Sequence, residues 1–364
     1  MDAPFPFGLP LPTAIYLVLY LATLMVHIAF MNYVLAGSAV MAGMLVVRGR
    51  PAQDHPIYAL LRDWMPFMLS AAITAGIAPL LFLQVLYKEQ FYTANLLLFF
   101  RWMAILPALI LGFYLGYLLK KDSARGWPRW AVLAVGCGVF ASFAFVGWSW
   151  VENHLLSLQP PERWQEQYVS GAHLFRSPEL PPRLLLWFVA GFPTMALMVG
   201  WQLWDRSRRE GGDPTAGARA ASAIALVGIV VSSLWGGRYY FLLSEPAQKA
   251  IAGRPGLLYL VLSIAGGAIE LAAWAAVCRR RKFSLRWLAI ASAGLVVNFI
   301  GTGVMNETIR LVTLDATVGL PALYARHAAS WKVAGLPVFL CFFALNAALM
   351  VVCVRIVRKR APGG

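Results

Sequence analysis

The chain has 364 residues, 60% of them apolar, with a mean hydropathy of +0.67 and a formal net charge of +15. This composition excludes an ordinary soluble domain. It also excludes a nucleic-acid binder: the lysines and arginines sit beside the ends of apolar runs, where they set topology and meet anionic lipid, and no soluble segment carries a basic patch with aromatics.

A helix needs about 20 apolar residues to cross a bilayer core. Nine such stretches are predicted, near 13–47, 62–88, 95–119, 130–153, 183–204, 219–243, 257–278, 285–310 and 334–354. They predict an all-α, polytopic helical bundle forming a single transmembrane domain over 1–364. Met1 to Pro12 has no basic region ahead of the first apolar run, so the first span reads as retained rather than cleaved.

Ionisable groups in hydrocarbon cost about 2.5–3.5 kcal/mol each on insertion scales, so each asks for a reason. In the first span His27 lies in Leu24-Met25-Val26-His27-Ile28-Ala29-Phe30-Met31-Asn32, with Ala36, Gly37, Ser38, Ala39 and Gly43 after it. A neutral imidazole deep in a bundle is a good axial ligand for haem iron, and small residues let a helix or a flat macrocycle come close. A histidine hydrogen-bonded to a neighbouring helix accounts for the same pattern. In the second span Pro79 predicts a kink, with Gln84 one turn beyond it. A cavity or plain packing both follow from that pair. Arg101 in the third span either snorkels to the surface or meets a haem propionate or a quinone headgroup.

Glu152 and His154 close the fourth span, and a long loop follows over 154–182. Glu270, in the middle of the seventh span, has no partner in its own helix and is read as paired with a distant arginine, protonated, or relaying protons. Glu307 in the eighth span is one turn from Arg310, which offers a simple ion pair; as a functional group it would bind haem or handle protons. A second long loop covers 311–333 and includes His327. That histidine, like His154 and His173, reads as a solvated loop residue, and His55 as inert. Most of the 14 tryptophans fall near span ends, as an aromatic belt does. The four cysteines, Cys137, Cys278, Cys341 and Cys353, have no haem-attachment or metal spacing.

Every second loop is basic. Arg48, Arg50 and Arg62; Lys120, Lys121, Arg125 and Arg129; Arg206, Arg208, Arg209 and Arg219; Arg279 to Lys282 and Arg286; and Arg355, Arg358, Lys359 and Arg360 make up 20 of the 31 basic residues. Basic loops stay in the cytoplasm, so the N-terminus is expected outside and the C-terminus inside.

Several of these motifs carry a family resemblance. His27 with Phe30-Met31-Asn32 and Gly37-Ser38, the run Ala78-Pro79-Leu80-Leu81-Phe82-Leu83-Gln84-Val85-Leu86-Tyr87 with Phe91-Tyr92-Thr93, and Trp148 to Arg163 with the loop to Pro182-Arg183 resemble the large subunit of cytochrome bd-type quinol oxidases. The likeness is closer to smaller relatives of that subunit, found beside multihaem c-type cytochromes. The resemblance implies a haem b-bearing bundle linked to the quinone pool, with His27 as an axial haem ligand and Glu307 as a ligand of a second kind. Gln84 and Arg101 would line the cofactor or a quinone site.

The departures are specific. Arg183-Leu184-Leu185-Leu186-Trp187-Phe188 lacks the histidine that the oxidases carry there, Ser244 to Pro255 is too short for their quinol loop, and the third span lacks their acidic residues. Complete oxygen reduction by this chain is therefore not expected. The expected role is a cytochrome b-like subunit of a bacterial inner-membrane complex, with an extracytoplasmic c-type cytochrome or other redox partner docking on the outer loops. The chemistry would belong to the assembled complex. The rival expectations are a haem-free membrane anchor for such a partner and a transporter; against the latter, no inverted repeat or matched pair of broken helices is visible.

Overall fold

A computed structural model describes residues 8–121, 124, 126–211, 215–331 and 335–360. It contains fourteen α-helices among those residues and no strand. They are α1 (Leu11–Arg48), α2 (Pro56–Leu86), α3 (Lys88–Leu97), α4 (Phe99–Met103), α5 (Ile105–Lys120), α6 (Arg129–Ser157), α7 (Pro161–Ser170), α8 (Leu180–Glu210), α9 (Thr215–Tyr240), α10 (Glu245–Ala252), α11 (Gly256–Arg280), α12 (Leu285–Thr317), α13 (Leu320–Trp331) and α14 (Gly335–Arg360).

Eight stretches among the described residues are long and apolar enough to cross a membrane, and they coincide with the first eight predicted spans. The backbone of α14 occupies the ninth predicted span from Gly335 onward. Arg125 lies outside the described residues, as do the side chains of Arg50, Cys353, Arg355, Arg358, Lys359 and Arg360. Large apolar residues such as Ile77, Leu81, Ile110, Leu234, Ile264 and Val296 stand exposed along the spans, the outward-facing surface expected where lipid rather than water is the solvent.

Several predicted boundaries move: α2 starts at Pro56, α8 runs on to Glu210 and α12 to Thr317, inside the loop expected over 311–333. Two further shifts have a plain physical reason. The third span does not run unbroken from residue 95. The sequence Lys88-Glu89-Gln90-Phe91-Tyr92-Thr93-Ala94-Asn95 is polar and forms a separate short helix, and the crossing stretch runs from Phe99 to Lys120 through a bend at Ala104. The fifth span starts earlier than residue 183, with Pro181 and Pro182 in the first turn of α8, where their missing amide protons cost nothing. That extension draws Arg183 inside the bundle, where it is buried. Pro66 and Pro79 lie inside α2, which continues through both.

The crossings pair as antiparallel hairpins, α1 with α2, α5 with α6, α8 with α9 and α11 with α12, and α1 sits at the centre against α2, α6, α8, α12 and α13. Arg48, Lys120, Arg206 and Arg279 to Arg281 mark one end of the bundle, called here the basic end. The other, the Tyr87 end, carries the short helices α3, α7, α10 and α13. One apolar core, around Tyr33, Leu61, Met65, Met195 and Trp274, fills the half toward the basic end. A second, around Tyr16, Tyr20, Phe82, Tyr87, Leu311 and Leu323, joins α1, α2, α12 and α13 at the Tyr87 end.

The small residues after His27 serve this packing. Gly37 faces Leu61, Met65 and Met195, so it brings α1 close to α2 and α8. Asn32 reaches across to Thr194 at 3.3 Å, and Tyr33 donates to Gln202 at 3.1 Å. The helices α11 and α12 meet backbone to backbone. A methyl group on Gly301 would lie 2.5 Å from the backbone nitrogen of Ser263, and one on Gly266 would lie 2.4 Å from that of Asn298. Backbone contact of this kind requires glycine.

Gly301→Ala should therefore destabilise the bundle by about 1–3 kcal/mol, the usual cost of overpacking. Gly43→Ala, where a methyl meets nothing within 4 Å, should be neutral. Thermal unfolding in detergent checks the contrast; equal melting temperatures for the two variants would contradict it.

Candidate functional site

Two clusters of polar residues among the described residues of the spans hold the expected His27 and Glu307. The deeper one centres on His27. Its Nδ1 lies 2.9 Å from the carbonyl oxygen of Ala72 on α2. A carbonyl only accepts, so Nδ1 carries the proton and Nε2 keeps its lone pair. Gly76 makes the approach possible: a methyl there would lie 2.9 Å from Cε1 of the imidazole. The ring is thus oriented by backbone, with Nε2 making no hydrogen bond among the described residues. Metal-bound histidines are commonly fixed in this way, by an N–H to carbonyl bond on the far nitrogen. The same bond is what a purely structural histidine between two helices would make.

The second group fills the Tyr87 end. Glu307 accepts from the Tyr87 hydroxyl at 2.8 Å and from the Asn306 amide at 3.1 Å, and pairs with Arg310 at 3.2 Å. The one-turn pairing with Arg310 expected from the sequence is present and buried: the two side chains are 4% and 7% exposed. Arg310 also lies 4.5 Å from the centre of the Tyr87 ring and 5.8 Å from that of Tyr20. Its Nη2 reaches Nδ1 of His154 at 2.8 Å. A guanidinium has no lone pair to offer, so His154 accepts at Nδ1 and holds its proton on Nε2. That Nε2 is buried and has no partner among the described residues.

Arg183 enters from the first turn of α8. It donates to Tyr239 and to Asn306, both at 2.6 Å, which ties α8 and α9 to the Glu307 group, while its Nε is buried without a partner. Two buried donors, on His154 and Arg183, are thus left over in a cluster otherwise satisfied. Groups so placed ask for an acceptor oxygen.

The remaining expected residues sit apart from these groups. Arg101 does not snorkel. It pairs with Glu152 at 2.5 Å and lies over the rings of Trp148 and Phe145, with 12% of its side chain exposed. Glu152 in turn accepts from the backbone N–H of Phe175, which fastens the long loop 154–182 to the bundle. The amide of Gln84 is partly buried and makes no hydrogen bond among the described residues. Its neighbour in sequence, Gln90, is buried with Oε1 unpartnered. His55 accepts from the backbone N–H of Ile57 at 3.3 Å and caps the start of α2.

His154, expected in solvent, is instead held inside the bundle against Arg310, and His327 differs from expectation too. Rather than lying in solvent, it is wholly buried: Nε2 donates to the carbonyl of Leu86 at 2.8 Å and Nδ1 lies 2.8 Å from the Thr13 hydroxyl. Residues 320–331 form α13, and this imidazole pins that helix to the ends of α1 and α2. Nothing in the local sequence marks it, because its partners are a backbone carbonyl and a threonine far away in the chain. Tyr87, Tyr20 and Tyr239 were missed for a similar reason, since tyrosines at span ends are ordinary in membrane proteins. Arg183 had a readable signal: an arginine at the edge of a span, directly after two prolines, is a candidate for burial.

Compared with known protein families and with curated protein sequences, the chain matches none.

Two expectations test this geometry. Removing one partner of a buried ion pair leaves the other charge uncompensated, at a cost of about 3–5 kcal/mol. Arg310→Leu should lower stability by that amount, and adding Glu307→Gln should recover part of it; denaturation in mixed detergent measures both, and a neutral Arg310→Leu would contradict the assignment. The second concerns pH. Burial, with help from the adjacent Arg326 and against the hydrogen bond to Leu86, holds the His327 imidazole below its ordinary value of 6.5. The folded state then binds fewer protons than the unfolded one, so the contribution is complete above that value and is lost as pH falls below it. Hydrogen-exchange protection across 320–331, taken relative to the intrinsic base-catalysed rate at each pH, should fall on going from alkaline to mildly acid buffer, and this response should vanish in His327→Gln.

Proposed function

We propose that this chain is a cytochrome b-like integral membrane subunit of a quinone-linked electron-transfer complex. It would sit in a bacterial inner membrane with the basic end in the cytoplasm. Electrons would pass between the quinone pool and an extracytoplasmic multihaem c-type cytochrome, or another redox partner, docked over α7, α10 and α13. Haem b, when bound, supplies one-electron chemistry that no side chain here provides.

The observation that carries the reading is the state of His27, with its proton committed to Ala72 and Nε2 free to bind iron. The donor chemistry fits an axial ligand. Glu307 fits less well, because Tyr87, Asn306 and Arg310 already engage its carboxylate. In this reading Glu307 orients Arg310 and Tyr87 rather than gripping metal. Arg101 is likewise committed to Glu152, which leaves Gln84 as the free polar group beside Pro79. The unpartnered donors on His154 and Arg183 are matched to an acceptor oxygen, such as a quinone carbonyl or a haem propionate.

A second reading, a haem-free anchor for an outer redox protein, is favoured by the contact between His27 and Gly76, which suits a plain interhelical hydrogen bond. A reduced-minus-oxidised optical spectrum of the purified protein separates the two. A haem b band is expected in the wild type, lost in His27→Ala and shifted in Gly76→Ala, with unchanged elution on size exclusion as the control for folding. A wild type without the band, or a band indifferent to His27→Ala, would leave the anchor.

A further inference from the structure

Glu270 plays no part in the groups described above. It is 3% exposed, half-way along α11, and its Oε2 is buried with no hydrogen-bond partner. One turn further along the same helix Trp274 is fully buried, with its Nε1 also unpartnered. A lone acceptor and a lone donor one turn apart are complementary to a single water that accepts from the indole and donates to the carboxyl. A bound metal cation suits the place poorly, since the indole N–H would face it and the adjoining glycines offer only carbonyls of helical backbone.

From Glu270 toward the Tyr87 end the glycine seam between α11 and α12 carries polar side chains at helical spacing. Gly294 of α12 lies against Glu270, and Asn298, Thr302, Asn306 and Arg310 follow it at intervals of four residues. Asn298 donates to the carbonyl of Ser263 at 2.9 Å, and the hydroxyls of Ser263 and Thr302 are 3.0 Å apart. Asn306 then donates to Glu307. Between groups that can pass a proton two gaps remain, from Glu270 to the Ser263 hydroxyl and from the Thr302 hydroxyl to Glu307, seven and five positions along their helices. At about 1.5 Å of rise per residue these are roughly 10 and 8 Å, each the length of a short chain of waters rather than of one.

We infer that the α11–α12 seam is a proton file, running from Glu270 in the middle of the membrane to Glu307 at the Tyr87 end. Glu270 holds a proton in the resting protein, because an unpaired carboxylate in hydrocarbon is too costly. Transfer is an exchange along the file: Glu270 gives its proton to the adjacent water and takes another from it, each hydroxyl or water likewise passes one proton on as it receives another, and the chain ends beside Glu307, which keeps its pairing with Arg310. No electron moves and no bond other than O–H is made or broken. Asn298 and Asn306 hold the waters and hydroxyls in line, and the glycines keep the two backbones close enough for the file to form. This inference does not depend on haem.

Infrared spectroscopy of the full chain in lipid vesicles, during exchange from H2O into D2O, tests it. The wild type should show a protonated-carboxyl band that is absent in Glu270→Gln and that shifts promptly in D2O. Asn298→Leu and Thr302→Val should each keep that band but slow its shift by an order of magnitude or more. Thr302→Val conserves shape, so a slowed shift there would not reflect misfolding. No Glu270 band in the wild type, a band that does not exchange, or exchange as fast in the variants as in the wild type would each overturn the file. None of these outcomes bears on whether His27 binds iron.

Discussion

With no water in the hydrocarbon core, every polar group there must find its partner within the protein, and that constraint organises this bundle. It explains why Arg101 folds back on Glu152 and why Arg310 is surrounded by Glu307, His154 and two tyrosine rings. It explains why Arg183 is shared between Tyr239 and Asn306. These contacts join α1, α2, α6, α8, α9 and α12 at one end, where apolar packing alone would give little orientation between helices. Because unpaired charge is so costly in this setting, the network gives specificity of assembly even where its net stabilisation is small.

The same constraint makes the exceptions informative. His27 satisfies one nitrogen on a backbone carbonyl and leaves the other open. His154 and Arg183 each keep a buried donor unpaired inside a cluster that is otherwise complete, and in the middle of the bundle Glu270 keeps an acceptor and Trp274 a donor unpaired. A soluble protein would hide such lapses in solvent. Here they divide by chemistry: a lone pair suited to a metal, a pair of donors suited to an acceptor oxygen, and an acceptor and donor suited to water and a proton. Electron carriage and proton movement in one bundle would need all three.

How much of this was legible before the structure depended on the range of the interaction. Spans and their alternation could be read directly, because hydrophobic length is a property of contiguous residues. The ion pair of Glu307 with Arg310 was legible for the same reason, being one helical turn. The partners of Arg101, Arg183 and His327 were not, since Glu152, Tyr239 and the Leu86 carbonyl lie 51, 56 and 241 positions away and no local pattern announces them. The short helices α7, α10 and α13 were read as loops because they are too short to cross and too mixed in polarity to stand out. The motif residues behind the family resemblance, Asn32 and Gly37, turn out to hold α1 against α8 and α2. That role is helix packing and does not itself point to a cofactor.

The central claim is that His27 Nε2 binds an iron porphyrin while Nδ1 stays on Ala72. A density map of the complex isolated from native membranes tests it most directly. The account predicts a planar macrocycle beside the first crossing, its iron bonded to Nε2 with the Ala72 contact intact. A map in which that nitrogen faces only acyl chains or side chains would contradict it.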